Sequence, residues 1–249
     1  MKVSELALYL FSSGTLEAGG VEVPVPFFPV RHPARDVVID GGNPLAVARD
    51  PRAHWGALAD VFRASMSEAQ HCVAQFHRLG VGRDSVRYVV QTHLHMDHTG
   101  ALGHFSPAPV VVHARELEAA RSSDEPQAHG YVPADFERDG LEWRCVEHDF
   151  DLFGDGTIQL LQTPGHSAGH MSVLIQLRDT GSVLLTADAV DNRAQWERRL
   201  PLRVLYSRED ADRSLERLRS LAEGMHTMVI FGHDPENWAQ LRHAPDAYK

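Results

Sequence analysis

The sequence predicts an α/β fold built as one domain, and three observations support this prediction. Short runs of β-branched and other apolar residues alternate with segments of helical periodicity, without internal repeats. Residue types suited to one metal site are spread from position 93 to position 233, so most of the chain has to fold together. The hydrophobic content of 43% suffices for a substantial core. We therefore expect residues 1–249 to form a single domain.

The individual elements follow from local patterns. Runs of β-branched and aromatic residues bounded by Gly or Pro predict strands, and apolar residues at helical spacing predict helices. Predicted strands cover 3–11, 21–31, 36–40, 84–91, 110–113, 142–146, 158–162, 171–175, 182–187 and 228–232. Predicted helices cover 67–79, 114–121 and 208–222. The last helix has the clearest pattern, because Ser207 is a favourable N-cap and Leu215, Leu218 and Leu221 form one apolar stripe.

Three connections lack a clear secondary-structure pattern. Residues 42–66 and 123–141 are long and carry aromatic side chains, whereas residues 191–206 are polar and rich in Arg. Aromatic residues in long connections either line an apolar channel or anchor the connection to the core, and both interpretations stay open. The aromatic residues concerned are Trp55, Phe62, Tyr131 and Phe136.

The histidine cluster that follows the strand at 84–91 is the most informative motif. It reads Thr92-His93-Leu94-His95-Met96-Asp97-His98-Thr99-Gly100, an H-x-H-x-D-H pattern. Neutral imidazoles suit Zn, Fe, Co or Mn, and a neighbouring carboxylate can hold a second divalent ion. In an extended segment, residues 93, 95 and 97 project to one side and residue 98 to the other, so the chain has to curl for all four to converge. The motif predicts half of a two-metal site, the alternative being a His-rich surface loop.

Three further residues of ligand type stand where predicted strands end. His166 lies in the turn between the strands at 158–162 and 171–175, Asp188 follows the strand at 182–187, and His233 follows the strand at 228–232. A buried carboxylate is costly without a partner, which favours a metal at Asp188. His170, in the same turn as His166, is predicted to hydrogen-bond a ligand rather than to bind metal.

With these residues in place, the chain resembles the metallo-β-lactamase-fold hydrolases, and among them the N-acyl-homoserine lactone lactonases. The resemblance covers essentially the whole chain, from the N-terminal Leu-Tyr-Leu-Phe-Ser-Ser-Gly segment, through Val37-Val38-Ile39-Asp40-Gly41-Gly42, to Phe231-Gly232-His233-Asp234-Pro235-Glu236. It implies an αββα four-layer sandwich, in which helices flank two mixed β-sheets.

The resemblance also implies two divalent metal ions, with zinc expected and Fe, Co or Mn as alternatives of similar ligand preference. The implied ligands are two sets of three with one bridging carboxylate: His93, His95 and His166; Asp97, His98 and His233; and Asp188 as the bridge. A hydroxide held between the ions would open the lactone ring. Asp97 is then the candidate catalytic residue, carrying the proton to the leaving group.

One position departs from the lactonase pattern. Lactonases of this kind usually carry a Tyr three residues after the bridging acid, where this chain has Asp191. An ionised carboxylate cannot donate a hydrogen bond as a phenol does. Either the role is dispensable, Tyr206 or a water replaces the phenol, or the substrate differs. Asp191 and Tyr206 are therefore the candidate substrate contacts.

The expected function is hydrolysis of an N-acyl-homoserine lactone or a related small lactone. A thioesterase resembling glyoxalase II shares the Thr-Pro-Gly-His turn, but that family adds a C-terminal helical domain and only a short segment follows His233. Another small-ester or β-lactam metallohydrolase is a second alternative. A non-enzymatic scaffold that keeps the fold is a third, and the seven filled ligand positions weigh against it.

Charge and composition restrict the partners and the location. A net charge of −10 argues against nucleic acid, whose recognition relies on clustered Lys and Arg. No apolar stretch approaches the roughly 20 residues of a membrane span, and the apolar run at 6–11 is short for a signal peptide. We expect a cytoplasmic protein whose partner is a small lactone or ester, with Cys72 and Cys145 unpaired. A homodimer is left open.

Overall fold

The computed structural model describes residues 6–202 and 204–249, which form two β-sheets with helices on their outer faces. The strands are β1 Ala7–Leu8, β2 Phe11–Ala18, β3 Val21–Arg31, β4 Asp36–Ile39, β5 Phe62–Ser65, β6 Val86–Val90, β7 Val110–His113, β8 Trp143–Val146, β9 Phe150–Asp151, β10 Ile158–Gln162, β11 Met171–Leu177, β12 Gly181–Leu185 and β13 Met228–Ile230. The α-helices are α1 Pro51–Trp55, α2 Leu58–Val61, α3 Cys72–Arg78, α4 Ala114–Ser122, α5 Pro133–Phe136, α6 Arg193–Arg198, α7 Arg208–Met225 and α8 Pro235–Gln240.

Both sheets mix parallel and antiparallel strands. The first has the order β5-β2-β3-β4-β6-β7-β8, with β1 paired to β3. Its neighbours from β4 to β8 in that order run parallel, and the pairs on the other side run antiparallel. The second sheet has the order β13-β12-β11-β10-β9, in which β12 and β13 run parallel. The two mixed sheets implied by the resemblance are confirmed.

Successive side chains along each strand point to opposite faces of the sheet, and this alternation produces the layers. Val37 and Ile39 of β4 pack between the two sheets, whereas Val38 faces the outer side of the first sheet. The strands of the second sheet alternate in the same way. Leu117 of α4 packs on the outer face of the first sheet, and Leu218 of α7 packs on the outer face of the second. The order of layers is helix, sheet, sheet, helix, which is the predicted αββα sandwich.

Several predicted elements are confirmed with their bounds. The strands at 21–31, 110–113 and 158–162 are β3, β7 and β10. The helix at 208–222 is α7, which continues to Met225; its N-cap is Ser207, whose side chain accepts a hydrogen bond from the amide of Asp210. Within the described residues, no helix is both long enough and apolar enough to cross a membrane.

The predicted helix at 67–79 is wrong as a continuous element. A short 3-10 turn at Glu68–Gln70 precedes α3, and His71 between them is extended, with ψ at 143°. Nε2 of His71 hydrogen-bonds the carbonyl oxygen of Gly100 at 2.9 Å, which holds this residue out of the helix. The predicted strand at 3–11 is also divided, because its described part contains β1 and then the start of β2 at Phe11. Residues 3–5 lie outside the described residues.

The three connections contain short elements that local patterns did not indicate. Residues 42–66 hold α1, α2 and β5, while α5 lies in 123–141 and α6 in 191–206. These elements have four to six residues, so tertiary contacts rather than helical propensity stabilise them. Trp55 and Phe136 anchor their segments in the core, since both are almost completely buried.

Replacing Leu218 tests the outer core of the second sheet. Leu218 is fully buried between α7 and that sheet. We expect Leu218→Ala to lower the free energy of unfolding by about 2–5 kcal/mol, through lost burial and the cavity that remains. Leu200→Ala is the matched control, because Leu200 is 46% exposed and its truncation should change stability by less than about 0.5 kcal/mol. Urea unfolding at a fixed metal concentration measures both, and equal effects would contradict the packing described here.

Candidate metal centre

The predicted metal ligands meet at one edge of the two sheets. Because β12 and β13 run parallel, Asp188 and His233 emerge after them at the same edge. Strand β11 runs antiparallel to β12, so the turn at 163–170 that precedes β11 reaches this edge too and carries His166. The amide of Met171 donates to the carbonyl oxygen of Thr92 at 2.9 Å, which joins the second sheet to the histidine cluster after β6.

The structure brings all seven predicted ligands together. In three groups, one donor atom of each residue lies within 4.8 Å of the donor atoms of the others. The groups are His93, His95 and His166; His93, His98 and Asp188; and Asp97, His98 and His233. Six of the seven side chains are buried, and His233 is half-buried.

Asp188 lies at the middle of this cluster. Its Oδ2 is 3.2 Å from Nε2 of His233, 3.4 Å from Nε2 of His166 and 3.8 Å from Nε2 of His93. Its Oδ1 is 3.3 Å from Nε2 of His98. One carboxylate therefore contacts imidazoles of the group that contains His166 and of the group that contains His233, as a bridging ligand must.

Unpartnered atoms at the centre fit a bound cation. Nε2 of His93, Nε2 of His98 and Oδ1 of Asp188 are buried without a hydrogen-bond partner among the described residues. A buried polar atom left in this state costs about 1–3 kcal/mol, so three of them converging on one point require an explanation. Imidazole and carboxylate donors at this separation are the ligands that Zn, Fe, Co and Mn accept.

The electrostatics divide the histidines into two groups. Burial, and then neighbouring imidazoles, lower the pKa of His93 and His95 well below the usual value, so both rings stay in the neutral form that binds metal. Burial opposes charge on His233 as well, but Asp188 and Asp97 outweigh it and raise its pKa to about 10. The carboxylates therefore attract positive charge to the side of the cluster that holds His233.

His170 lies outside the ligand set, as predicted. Its Nε2 accepts a hydrogen bond from the amide of Asp188 at 3.1 Å, and its Nδ1 is 2.9 Å from Oγ1 of Thr163. Burial lowers the pKa of His170 to about 3, so the ring is neutral and can accept this bond. His170 thereby fixes the backbone from which the Asp188 carboxylate projects.

Asp40 is a functional residue that the sequence reasoning missed. Its Oδ1 accepts from the amide of Thr92 at 2.8 Å, and its Oδ2 accepts from Oγ1 of Thr92 at 2.8 Å and from Nδ1 of His98 at 3.0 Å. A hydrogen bond at Nδ1 turns Nε2 of His98 towards the cluster. The adjacent Gly41 is needed because a Cβ there would lie 1.9 Å from the amide nitrogen of Ala101. The Asp-Gly-Gly sequence at the end of β4 was the available signal.

Glu116 on α4 is a second missed residue, and it joins the two ligand loops. Its Oε1 accepts from the amide of Leu94 at 3.0 Å and from the hydroxyl of Tyr131 at 3.3 Å. Its Oε2 accepts from Oγ of Ser167 at 2.7 Å and from the amide of Gly169 at 2.9 Å. The side chain has no solvent exposure, and the first turn of a helix favours its charge. Four donors thus satisfy one buried carboxylate between the two loops.

A cavity of about 490 Å³ opens onto the cluster. Asp97, His166, Asp188 and His233 form its inner wall. Its outer walls are largely apolar and include Leu16, Val21, Val23, Leu58, Phe62 and Val204. Of the four aromatic residues singled out in the long connections, Phe62 lines this cavity. The arrangement suits a ligand with a polar head at the cluster and an apolar tail.

The two candidate substrate contacts lie in different places. Asp191 lines this cavity, and burial together with the charge of Asp188 raises the pKa of its carboxyl. Tyr206 instead lines a neighbouring cavity of about 600 Å³ that shares His95 and His166 with the first, and the residue is 60% exposed. Asp191 is therefore placed to touch a ligand at the inner wall of the first cavity.

Comparison with known proteins identifies the family. The Metallo-beta-lactamase superfamily model matches residues 23–233. The N-acyl homoserine lactonase AttM of Azorhizobium caulinodans is 40% identical over 262 aligned positions, which cover 99% of this chain and 100% of that protein. AttM of Agrobacterium fabrum is similar to the same extent. The chain belongs to the N-acyl homoserine lactonase family of the metallo-beta-lactamase superfamily.

Solved structures of this lactonase family have the same fold. A Bacillus thuringiensis AiiA mutant with N-decanoyl-L-homoserine bound at the active site matches with a TM-score of 0.88 and 26% identity, covering 98% of this chain and 100% of that one. An N-acyl homoserine lactone hydrolase with the product N-hexanoyl-L-homoserine bound at the catalytic metal center gives the same values. The predicted fold and family are confirmed, and the family's hydrolase chemistry agrees with the divalent-metal donor set.

Replacing Glu116 tests its role in joining the loops. Glu116→Gln replaces one of the two carboxylate oxygens by an NH₂ group, which cannot accept a hydrogen bond. At least one of the two loops therefore loses its acceptor. We expect the free energy of unfolding to fall by about 1–3 kcal/mol. Amide hydrogen exchange at Leu94 or Gly169 should accelerate more than elsewhere. Glu118→Gln on the same helix is the control, since Glu118 is exposed, and a uniform acceleration across the chain would contradict the local role.

Proposed function

We propose that this chain hydrolyses N-acyl homoserine lactones to N-acyl homoserines, using two divalent metal ions bound by the seven converging side chains. The observation that carries the proposal is the position of Asp188, which contacts imidazoles of two separate ligand groups. The relatives named lactonases, which align over nearly the full chain, support the substrate class. The apolar cavity at the cluster supports an acyl substrate.

The ligand assignment within this proposal follows the three groups. One ion would be held by the group of His93, His95 and His166 and the other by the group of Asp97, His98 and His233, with Asp188 as the carboxylate available to both. Zinc is the proposed metal, because closely spaced imidazole nitrogens and carboxylate oxygens are its usual ligands in hydrolases. Nδ1 of His95 and Nε2 of His166 lie 2.8 Å apart, which supports assigning both side chains to the same ion.

The residues around the centre supply binding and proton transfer. When bound, two divalent cations lower the pKa of a coordinated water towards neutrality and draw electron density from a carbonyl oxygen. The apolar cavity wall binds the acyl chain and leaves the lactone at the inner wall. Asp97, whose side chain lines the cavity, carries the proton from the attacking water to the ring oxygen as the ester C–O bond breaks. One water is consumed, and one carboxyl and one hydroxyl group are formed.

The proposal includes one domain and a reducing location. One apolar core between the sheets contains residues from Leu8 to Tyr248, which supports residues 1–249 as a single domain. Cys72 and Cys145 are both free, which supports a cytoplasmic protein.

Removing a ligand should remove metal and activity together. We expect Asp188→Asn and His166→Ala to bind about one metal equivalent or fewer, where the wild type binds about two. Their kcat/KM should fall by more than the roughly 100-fold that is typical of losing an outer partner of a ligand. Elemental analysis and lactone hydrolysis measure the two quantities. His148→Ala is the control because His148 is exposed and distant from the ligand set in sequence, and a fully active, metal-free variant would refute the proposal.

A panel of substrates separates the lactonase from the alternative hydrolases. The panel contains N-acyl homoserine lactones of several chain lengths, γ-lactones, thioesters and a cephalosporin, and proton release follows hydrolysis of each. We expect the N-acyl homoserine lactones to give the highest kcat/KM, since the cavity offers an apolar wall for the acyl chain. Hydrolysis of thioesters but not of lactones would favour the thioesterase and overturn the assignment.

A further inference from the structure

Asp191 is fixed in position on the wall of the cavity that opens onto the metal centre. Its amide donates to Oε1 of Gln195 at 2.7 Å, and Nε2 of Gln195 donates back to Oδ2 of Asp191 at 3.0 Å. Gln195 is itself buried within α6. The carbonyl oxygen of Asp191 accepts from the amide of His233 at 2.9 Å. The carboxyl group is therefore oriented before any ligand arrives.

Only one carboxyl oxygen of Asp191 is used in this arrangement. Oδ1 has no hydrogen-bond partner among the residues that the structure describes, and the residue lines the cavity. The cation nearest in sequence, Arg193, is engaged elsewhere, over the ring of Phe231 and 3.7 Å from Glu197. Oδ1 is thus an oriented acceptor on the cavity wall near Asp188, and no described residue donates to it.

The substrate class of the proposed function carries a suitable donor. An N-acyl homoserine lactone has an amide N–H on the carbon next to the lactone carbonyl, whereas a simple alkyl lactone has none. We propose that Oδ1 of Asp191 accepts a hydrogen bond from this amide and selects lactones that bear an N–H beside the scissile carbonyl. This inference rests on the proposed function and names the feature of the substrate that the site recognises.

The cost of a missing donor sets the expected selectivity. A substrate without the N–H displaces water from Oδ1 and offers no donor in return, so this acceptor is left without a partner. Leaving a buried acceptor without its donor corresponds to about 10- to 100-fold in kcat/KM. The wild type should prefer the amide-bearing lactone by about this factor.

Asp191→Asn tests the acceptor with little change of shape. Gln195 still donates to an oxygen, so the side-chain oxygen of Asn stays at the Gln195 side and its NH₂ group turns to the cavity. The atom that meets the substrate then changes from an acceptor to a donor. The probes are N-hexanoyl homoserine lactone, its N-methylated amide analogue, and α-hexyl-γ-butyrolactone, which has a similar apolar tail and no amide.

We expect Asp191→Asn to lower kcat/KM for N-hexanoyl homoserine lactone by about 10- to 100-fold, while the other two probes change by less than about twofold. The preference for the N–H would then disappear with bound metal unchanged. Glu236→Gln is the matched control, because Glu236 lines the same cavity and loses the same charge, yet it is exposed at the outer wall. Its preference for the N–H should remain that of the wild type.

Three outcomes would overturn the role of Asp191. In the first, the wild type hydrolyses the N–H and N-methyl probes at equal rates. In the second, Asp191→Asn lowers kcat/KM equally for all three probes. In the third, that variant keeps the full preference for the N–H probe. If kcat/KM falls equally for all three probes and the variant also binds less metal, Asp191 supports the metal centre instead. If the wild type hydrolyses none of the lactones, the proposed function itself fails, and that result is distinct from the other three.

Discussion

The structure depends on one buried carboxylate, that of Asp188, which lies among four imidazoles at the edge shared by two sheets. Its separations from His93, His98, His166 and His233 are between 3.2 and 3.8 Å, and its Oδ1 has no hydrogen-bond partner among the described residues. A carboxylate this buried is stable only near positive charge. The unpartnered imidazole nitrogens face the same point, so protonating one ring would satisfy one of them at most. Divalent cations satisfy several of these atoms together.

The surrounding hydrogen bonds hold this cluster across the boundary between the sheets. Asp40, at the end of a strand of the first sheet, orients His98, and the carbonyl oxygen of Pro24 accepts from Nδ1 of His233 at 2.8 Å. Glu116 connects the loop after β6 to the turn before β11, and a Cβ at Gly169 would lie only 2.3 Å from the backbone nitrogen of Glu116. Both sheets supply candidate ligands, and both supply supports, Asp40 from the first and His170 from the second. The centre therefore forms only when both sheets pack together.

The convergence of the candidate ligands could be predicted from sequence because each stands next to a strong local pattern. His93 to His98 form one short motif, and Asp188 and His233 directly follow apolar strands. The supporting residues Asp40 and Glu116 were missed, because their contacts join distant positions: Asp40 binds Thr92 across 52 residues, and Glu116 binds Gly169 across 53. The same reason explains the missed α1, α2 and β5, whose few residues are stabilised by tertiary contacts. His71 is extended and not helical as predicted, because it hydrogen-bonds Gly100, which is 29 residues away.

Reaction type and substrate preference therefore depend on different parts of the chain. The seven candidate ligands fit metal-dependent hydrolysis, and a donor set of this kind does not by itself select the substrate. Preference has to come from the cavity walls, where Leu16, Val21 and Phe62 belong to β2, β3 and β5 at one side of the first sheet. Asp191 follows Asp188 by three residues, so the segment that supplies the central carboxylate also places an oriented acceptor on the cavity wall. An N-acyl homoserine lactone differs from a simple lactone by the amide group next to its reacting carbonyl, and a lactone held at the centre would have this group close to the segment that carries both carboxylates.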